Sequence, residues 1–189
     1  MSDERRTGQA GTDSRQDAVT HAASNVYWRM RQAVIEIAEA GGAEIRERPA
    51  FPGSISVHRY AEPLAGIRAA EILSDTAARI RREYTEHARG EGITWQQIGQ
   101  ALGLDQGPDG KSGYDLGVVA FEYFAGAPDV WHEANFCYRC ASCQAYITDR
   151  GPFESHPEDN ERGHADGCAR FAAELAAWQA ERDAWDRGE

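Results

Sequence analysis

The strongest constraint on this chain is a set of four metal-type ligands near its C-terminus. Cys140-Ala141-Ser142-Cys143 is followed by His164-Ala165-Asp166-Gly167-Cys168, giving the spacing C-x2-C-x20-H-x3-C. Thiolates two residues apart in a turn can reach a single tetrahedral ion, and four nitrogen and sulfur donors suit zinc. His164 and Cys168, four residues apart, would share one face of a helix. Cys140, Cys143, His164 and Cys168 are therefore the expected zinc ligands. A site closed by four protein ligands leaves no position for a water nucleophile, so it stabilises a fold and does not catalyse. Cys137 adds a third cysteine at the same step, Cys137-x2-Cys140-x2-Cys143. With Cys168 it makes an iron–sulfur cluster the alternative cofactor, although no C-P follows the last ligand. Otherwise Cys137 is a small apolar residue beside the knuckle. His156 is a possible substitute ligand, next to the acidic stretch Glu158-Asp159-Asn160-Glu161.

Periodicity extends the site into a predicted helix over about His164 to Asp186. Cys168, Phe171, Leu175, Trp178, Arg182 and Trp185 recur at three and four residue steps, which puts Cys168 in phase with a buried stripe. Ile147 to Phe153, ending in Gly151-Pro152, is expected to form the second arm of a hairpin, with Asp149 and Arg150 pairing locally. Trp131, Phe136 and Tyr138 beside the knuckle are candidate exposed anchors for a partner.

The rest of the chain reads as helical. Its 189 residues are 41% hydrophobic and 27% charged, enough for one medium domain or two small ones. Met1 to about Ala22 lacks large apolar residues and is expected to be a disordered tail. From Ser24, apolar residues at helical spacing run to Gly41-Gly42, a C-terminal stop. Pro49, Pro52 and Gly53 mark a surface connection, with a short strand near Ile55 and Val57. Pro63 opens a long helix, about Leu64 to Arg89. The predicted domains are a tail over 1–22, a helical domain over 23–130 and a zinc knuckle with a long C-terminal helix over 131–189. The expected fold class is mainly α, with a helix-turn-helix-like domain and a small zinc-bound β-hairpin knuckle.

Gly90-Glu91-Gly92 ends the long helix, and a short one is specified over Trp95 to Leu102. Thr94 can cap it while Gln97 returns a bond to the Thr94 amide; Ile93 and Ile98 take the staple positions, and Gly103 ends it. The form T-W-x-x-I-G-x-A-L-G, with Gly99 and Gly103 at the close-packing positions, resembles the first half of helix-turn-helix DNA-binding modules, over about Ala77 to Leu104. Where a recognition helix should begin, the chain instead reads Leu104-Asp105-Gln106-Gly107-Pro108-Asp109-Gly110-Lys111-Ser112-Gly113. That run nearly matches a phosphate loop, but Asp105 replaces the first glycine and Pro108 removes an amide from the cradle, so it is a loop. The next helix, about Tyr114 to Ala125, is apolar on nearly every face and carries no base-reading side chain.

The whole order of elements, about Ile55 to Trp185, resembles a set of uncharacterised actinobacterial proteins that join a helix-turn-helix-like segment to a C-terminal zinc-ribbon or treble-clef-like knuckle. That resemblance implies no activity. No G-x-S-x-G, H-E-x-x-H or complete phosphate loop is present, so the expectation is a non-enzyme. The helix-turn-helix resemblance points to a transcription regulator that binds DNA or a transcription-related protein. Arg79, Arg81, Arg82, Arg89, Gln96, Gln97, Gln100 and Lys111 flank the motif as its candidate DNA contacts. The net charge of −11 opposes a polyphosphate partner and fits an acidic protein-binding adaptor, the second reading. The longest apolar run, about Val118 to Phe121, is far too short to span a bilayer. Met1-Ser2-Asp3-Glu4-Arg5-Arg6 has no apolar segment behind its charges, so the expected location is the cytoplasm. No pattern specifies an oligomeric state.

Overall fold

The computed structural model describes residues 4–104, 115–127 and 133–188. It is mainly helical with two small antiparallel sheets, and it divides into two compact units, Met1–Ala78 and Arg79–Glu189. The boundary falls inside a helix and not near residue 130. The segment with the T-W-x-x-I-G motif thus belongs with the cysteine-rich segment rather than with the first helix. Among the described residues, no helix is long and apolar enough to cross a membrane.

In the first unit, α1 spans Glu4–Ala40, so the tail expected to be disordered is helical from Glu4. Polar composition suits a solvated helix as well as a coil, and the sequence contains no proline before Pro49 to interrupt one. Gly42 takes a φ of 85° after the last turn, and the Ala43 amide donates back to the Ala38 carbonyl at 3.0 Å, ending the helix where Gly41-Gly42 predicts. The connection that follows is a hairpin. β1 (Ile45–Pro49) pairs antiparallel with β2 (Val57–Ala61), in register from Ile45 opposite Ala61 to Pro49 opposite Val57. Its strands are mostly exposed, so the alternation that betrays a half-buried strand is missing. Ile55, expected near a strand, is fully exposed in the loop. Helix α1 meets β2 through Trp28 stacked on His58, with centroids 6.1 Å apart, and Arg31 over the Tyr60 ring at 4.6 Å. α2 (Pro63–Gly90) begins with Glu62 accepting from the amides of Leu64 and Ala65.

The second unit starts in the C-terminal part of α2 and continues through α3 (Trp95–Ala101) and α4 (Leu116–Ala125). The expected capping box is present: Thr94 Oγ1 accepts from the Gln97 amide at 3.2 Å, and Gln97 Oε1 accepts from the Thr94 amide at 2.9 Å. Gly99 explains how α3 and α4 approach, because a methyl group there would lie 2.7 Å from Leu116 Cγ. β3 (Phe136–Arg139), β4 (Tyr146–Asp149) and β5 (Glu161–Arg162) form a three-stranded sheet, with α5 (Pro157–Asn160) before β5. α6 (Ala169–Arg187) closes the chain. Trp95 is central to the core: its ring meets Phe121 at 5.3 Å and Phe136 at 5.0 Å, both edge-on, as aromatic quadrupoles favour. Phe136 and Tyr138, expected as exposed anchors, are fully buried in this core, while Trp131 lies outside the described residues.

Candidate metal centre

Backbone geometry builds the knuckle before any side chain is considered. Cys140 follows β3, and the chain turns through Cys143 so that the Gln144 amide donates to the Cys140 carbonyl at 2.9 Å and the Cys140 amide to the Ala145 carbonyl at 3.0 Å. Gln144 completes the turn at a φ of 60°, and its side chain donates to the Ala141 carbonyl. The turn is tied to the end of α2, since the Ala141 amide donates to the Gly90 carbonyl at 2.9 Å. Gly90 must lack a side chain: a Cβ there would sit 2.5 Å from the Arg139 carbonyl oxygen.

The other two ligands arrive on a loop. His164 and Cys168 precede α6, and Gly163 and Gly167, each immediately before one of them, have φ of 103° and 74°. A helix beginning at His164 is therefore corrected. Left-handed glycines bend the segment, and Cys168 stands at the N-cap. The expected buried stripe is also shorter than its periodicity: Cys168 is buried, Phe171, Leu175 and Trp178 are half-buried, and Arg182 and Trp185 are exposed. Periodicity marks which residues share a face, and the end of the helix has nothing to bury that face against.

The ligand atoms of Cys140, Cys143, His164 and Cys168 all lie within 4.8 Å of one another. Cys140 Sγ is 3.8 Å from Cys168 Sγ, and Cys143 Sγ is 3.8 Å from His164 Nδ1. A tetrahedral ion with zinc–sulfur bonds of about 2.3 Å separates its sulfurs by about 3.8 Å, so the donor set fits a metal such as zinc. Cys137 is exposed on the alternate side of β3 from buried Phe136 and Tyr138, and it is not part of the set. His156 is no substitute ligand either. Its Nδ1 accepts from the Glu158 amide at the start of α5, and its ring lies 4.3 Å from that of Trp178.

A buried ionic cluster surrounds the ligands. Glu161 Oε2 and Arg170 Nη2 each lie 2.9 Å from His164 Nε2, and Nδ1 faces Cys143; with a metal on Nδ1, the Nε2 proton would go to Glu161. The ring is also stacked on Phe171 at 4.4 Å. Glu161 pairs with both Arg89 and Arg170, and Arg170 donates to the Tyr138 hydroxyl at 2.8 Å. Arg89 pairs with Asp149 at 2.8 Å and donates to the Ile93 carbonyl in the turn between α2 and α3. Asp149 in turn accepts from Trp95 Nε1 at 2.9 Å and from the Gly151 amide at 2.8 Å. The expected Asp149–Arg150 pair is replaced by these bonds, and Arg150 reaches Glu133 at 2.6 Å.

These contacts divide the titrating groups. Burial opposes ionisation of Glu161, but Arg89, Arg170 and His164 outweigh it and hold its pKa below the usual carboxyl value. Asp149 goes the other way, because burial and the nearby Glu161 charge exceed the help from Arg89. The amides of Ala165 and Ala145, then His164, push the Cys143 thiol down to about 6, whereas burial raises Cys168.

The residues expected to contact DNA are mostly engaged within the protein. Arg89 is 6% exposed and ion-paired, which removes it from that list. An arginine ending a charged helix looks solvated in sequence, and only the fold brings Asp149 and Glu161 to it. Arg81 covers the Tyr123 ring at 4.9 Å. Arg82 pairs with Glu86, donates to the Phe124 carbonyl and lies over Phe136. Gln97 serves the capping box, Arg79, Gln96 and Gln100 are exposed, and Lys111 lies outside the described residues. Sequence reasoning missed Glu161, Arg170 and the partners of Arg89. The one local signal was an acid three residues before a ligand histidine. No protein-family model, curated protein or solved structure matches the chain.

Proposed function

We propose that the chain is a non-catalytic, zinc-stabilised regulatory adaptor. In this reading α2, α3 and α4 form a helix-turn-helix-like scaffold that binds a protein partner, such as a component of the transcription machinery. Zinc on Cys140, Cys143, His164 and Cys168 supplies folding energy, and four protein ligands leave it no position for a water nucleophile. The observation that carries the preference for a protein partner is the surface of α4, where a recognition helix would sit. It buries Gly117, Ala120 and Phe121, and from its Asp115 cap to Ala125 only Asp115 and Tyr123 are exposed. Neither is a side chain suited to reading guanine or adenine edges. Charge agrees: residues 79–189 hold eleven basic and twenty acidic residues, a net of −9 that attracts a basic partner.

DNA binding is the second reading, favoured by Arg79, Arg81 and Arg82 along α2 and by Gln96 and Gln100 exposed on α3. A mobility-shift assay of the zinc-loaded full chain on random duplexes at low salt separates the two. The adaptor reading expects no retardation at micromolar protein. Retardation that weakens linearly with the logarithm of salt concentration would transfer the function to phosphate contacts.

A further inference from the structure

The first unit has too little interior for its size. Across Met1–Ala78 the buried hydrophobic side chains among the described residues are Ile35, Ala38 and Ala69, and none of them is completely enclosed. Between α1 and the first part of α2 the structure leaves open grooves instead of a packed seam. One of about 510 Å³ lies between Ile37, Ala38 and Gly41, at the end of α1 and just beyond it, and Leu64, Ala65, Ala69 and Ile72 of α2. A second of about 570 Å³ lies further back along α1, between Tyr27, Met30 and Val34 on one side and Ala70, Leu73 and Tyr60 on the other. Small residues floor these grooves, while large apolar ones line them with much of their surface in water. Leu64 is 74% exposed, Tyr27 61% and Ile72 47%.

We propose that this face is the interface of a homodimer, with the open α1–α2 grooves of the two copies packed against each other. Area supports a second copy as occupant. Taking about 200 Å² for each large side chain, the exposed parts of Tyr27, Met30, Tyr60, Leu64 and Ile72, all of which line the grooves, amount to on the order of 500 Å² per copy, close to the apolar share, a little over half, of the roughly 800 Å² each partner gives a stable interface. Charge supports it too. Residues 1–78 carry nine basic and eleven acidic residues, so two copies of this unit repel one another weakly, while the acidic excess of the chain lies in the other unit. A two-fold interface brings the same patch of both copies together, so one apolar face serves both sides.

The test is the mass in solution of the zinc-loaded full chain, by sedimentation equilibrium from about 1 to 100 μM, the range over which standard interfaces associate. The expected result is twice the 20.8 kDa of the chain, with Leu64→Asp shifting the population to 20.8 kDa at unchanged helical circular dichroism. A wild-type monomer across that range overturns the proposal. So does a dimer that survives Leu64→Asp and Tyr27→Asp, whether or not it is lost in Trp185→Asp, where Trp185 is the most exposed large apolar side chain among the described residues of the second unit. Should Leu64→Asp unfold, Tyr27→Asp on the other helix gives the same reading. The outcome is independent of what the second unit binds.

Discussion

Replacing Glu161 with glutamine keeps the shape of the side chain and a carbonyl oxygen for one hydrogen bond, but removes the negative charge on which His164, Arg89 and Arg170 converge. Two effects then add. Loss of the carboxylate behind a ligand histidine costs about 10- to 100-fold in metal affinity, roughly 1.4–2.7 kcal/mol. Separately, Arg89 and Arg170 lose a buried counter-charge. Breaking a buried pair costs about 3–5 kcal/mol, and because Asp149 still holds Arg89 the lower end applies. Solvent screening does not reduce this figure much, with the Arg89 and Glu161 side chains 7% and 2% exposed. Zinc competition against a chromophoric chelator should show the affinity loss, and urea denaturation of the metal-free chain a loss of about 3 kcal/mol. The metal-free chains should also differ in acid. Because the native pKa of Glu161 is held below its ordinary 4.5, its contribution is complete above that value and disappears as pH falls below it through the lowered native pKa. Glu161→Gln removes that part of the pH slope. Zinc affinity within twofold of wild type, together with unchanged stability, would refute the role given to this cluster.

Other outcomes follow from the same geometry. Cys137→Ser should leave one zinc per chain by elemental analysis, since Cys137 stands outside the ligand set; loss of metal, or a visible iron–sulfur absorbance in the wild type, would restore that cysteine as a ligand. Gly99→Ala should destabilise the second unit by about 1–3 kcal/mol in urea, because a methyl 2.7 Å from Leu116 Cγ forces α3 and α4 apart. At pH 7 a Cys143 thiol of pKa about 6 is roughly nine-tenths ionised, whereas Cys168, raised by burial, must give up close to a full proton on binding metal. Calorimetry in buffers of different ionisation enthalpy should accordingly count a small release from Cys143, seen as little change in Cys143→Ser relative to the loss in Cys168→Ser.

How far the sequence could be read depended on whether the signal was local. The Thr94–Gln97 box, the stop at Gly41-Gly42 and the C-x2-C turn are each decided within a few residues, and each stands where it was expected. The short strand expected near Val57 is β2, but β1 and its pairing carry no local signal, because these strands face water and show no period of two. Tyr138 sits in a polar-looking stretch that suggests an exposed anchor, yet its hydroxyl meets Arg170 inside the core.

That Cys140, Cys143, His164 and Cys168 form one candidate donor set, and that the first two share a tight turn, is legible in the sequence alone, because coordination chemistry restricts donors and a knuckle is short. Which charges are buried was settled only by folding. Arg89, Asp149, Glu161 and Arg170 come from α2, β4, β5 and α6, up to 81 residues apart from Arg89 to Arg170, and no local pattern records that they meet. A buried charge survives only where opposite charges and donors converge on it, and that convergence is a property of the assembled fold.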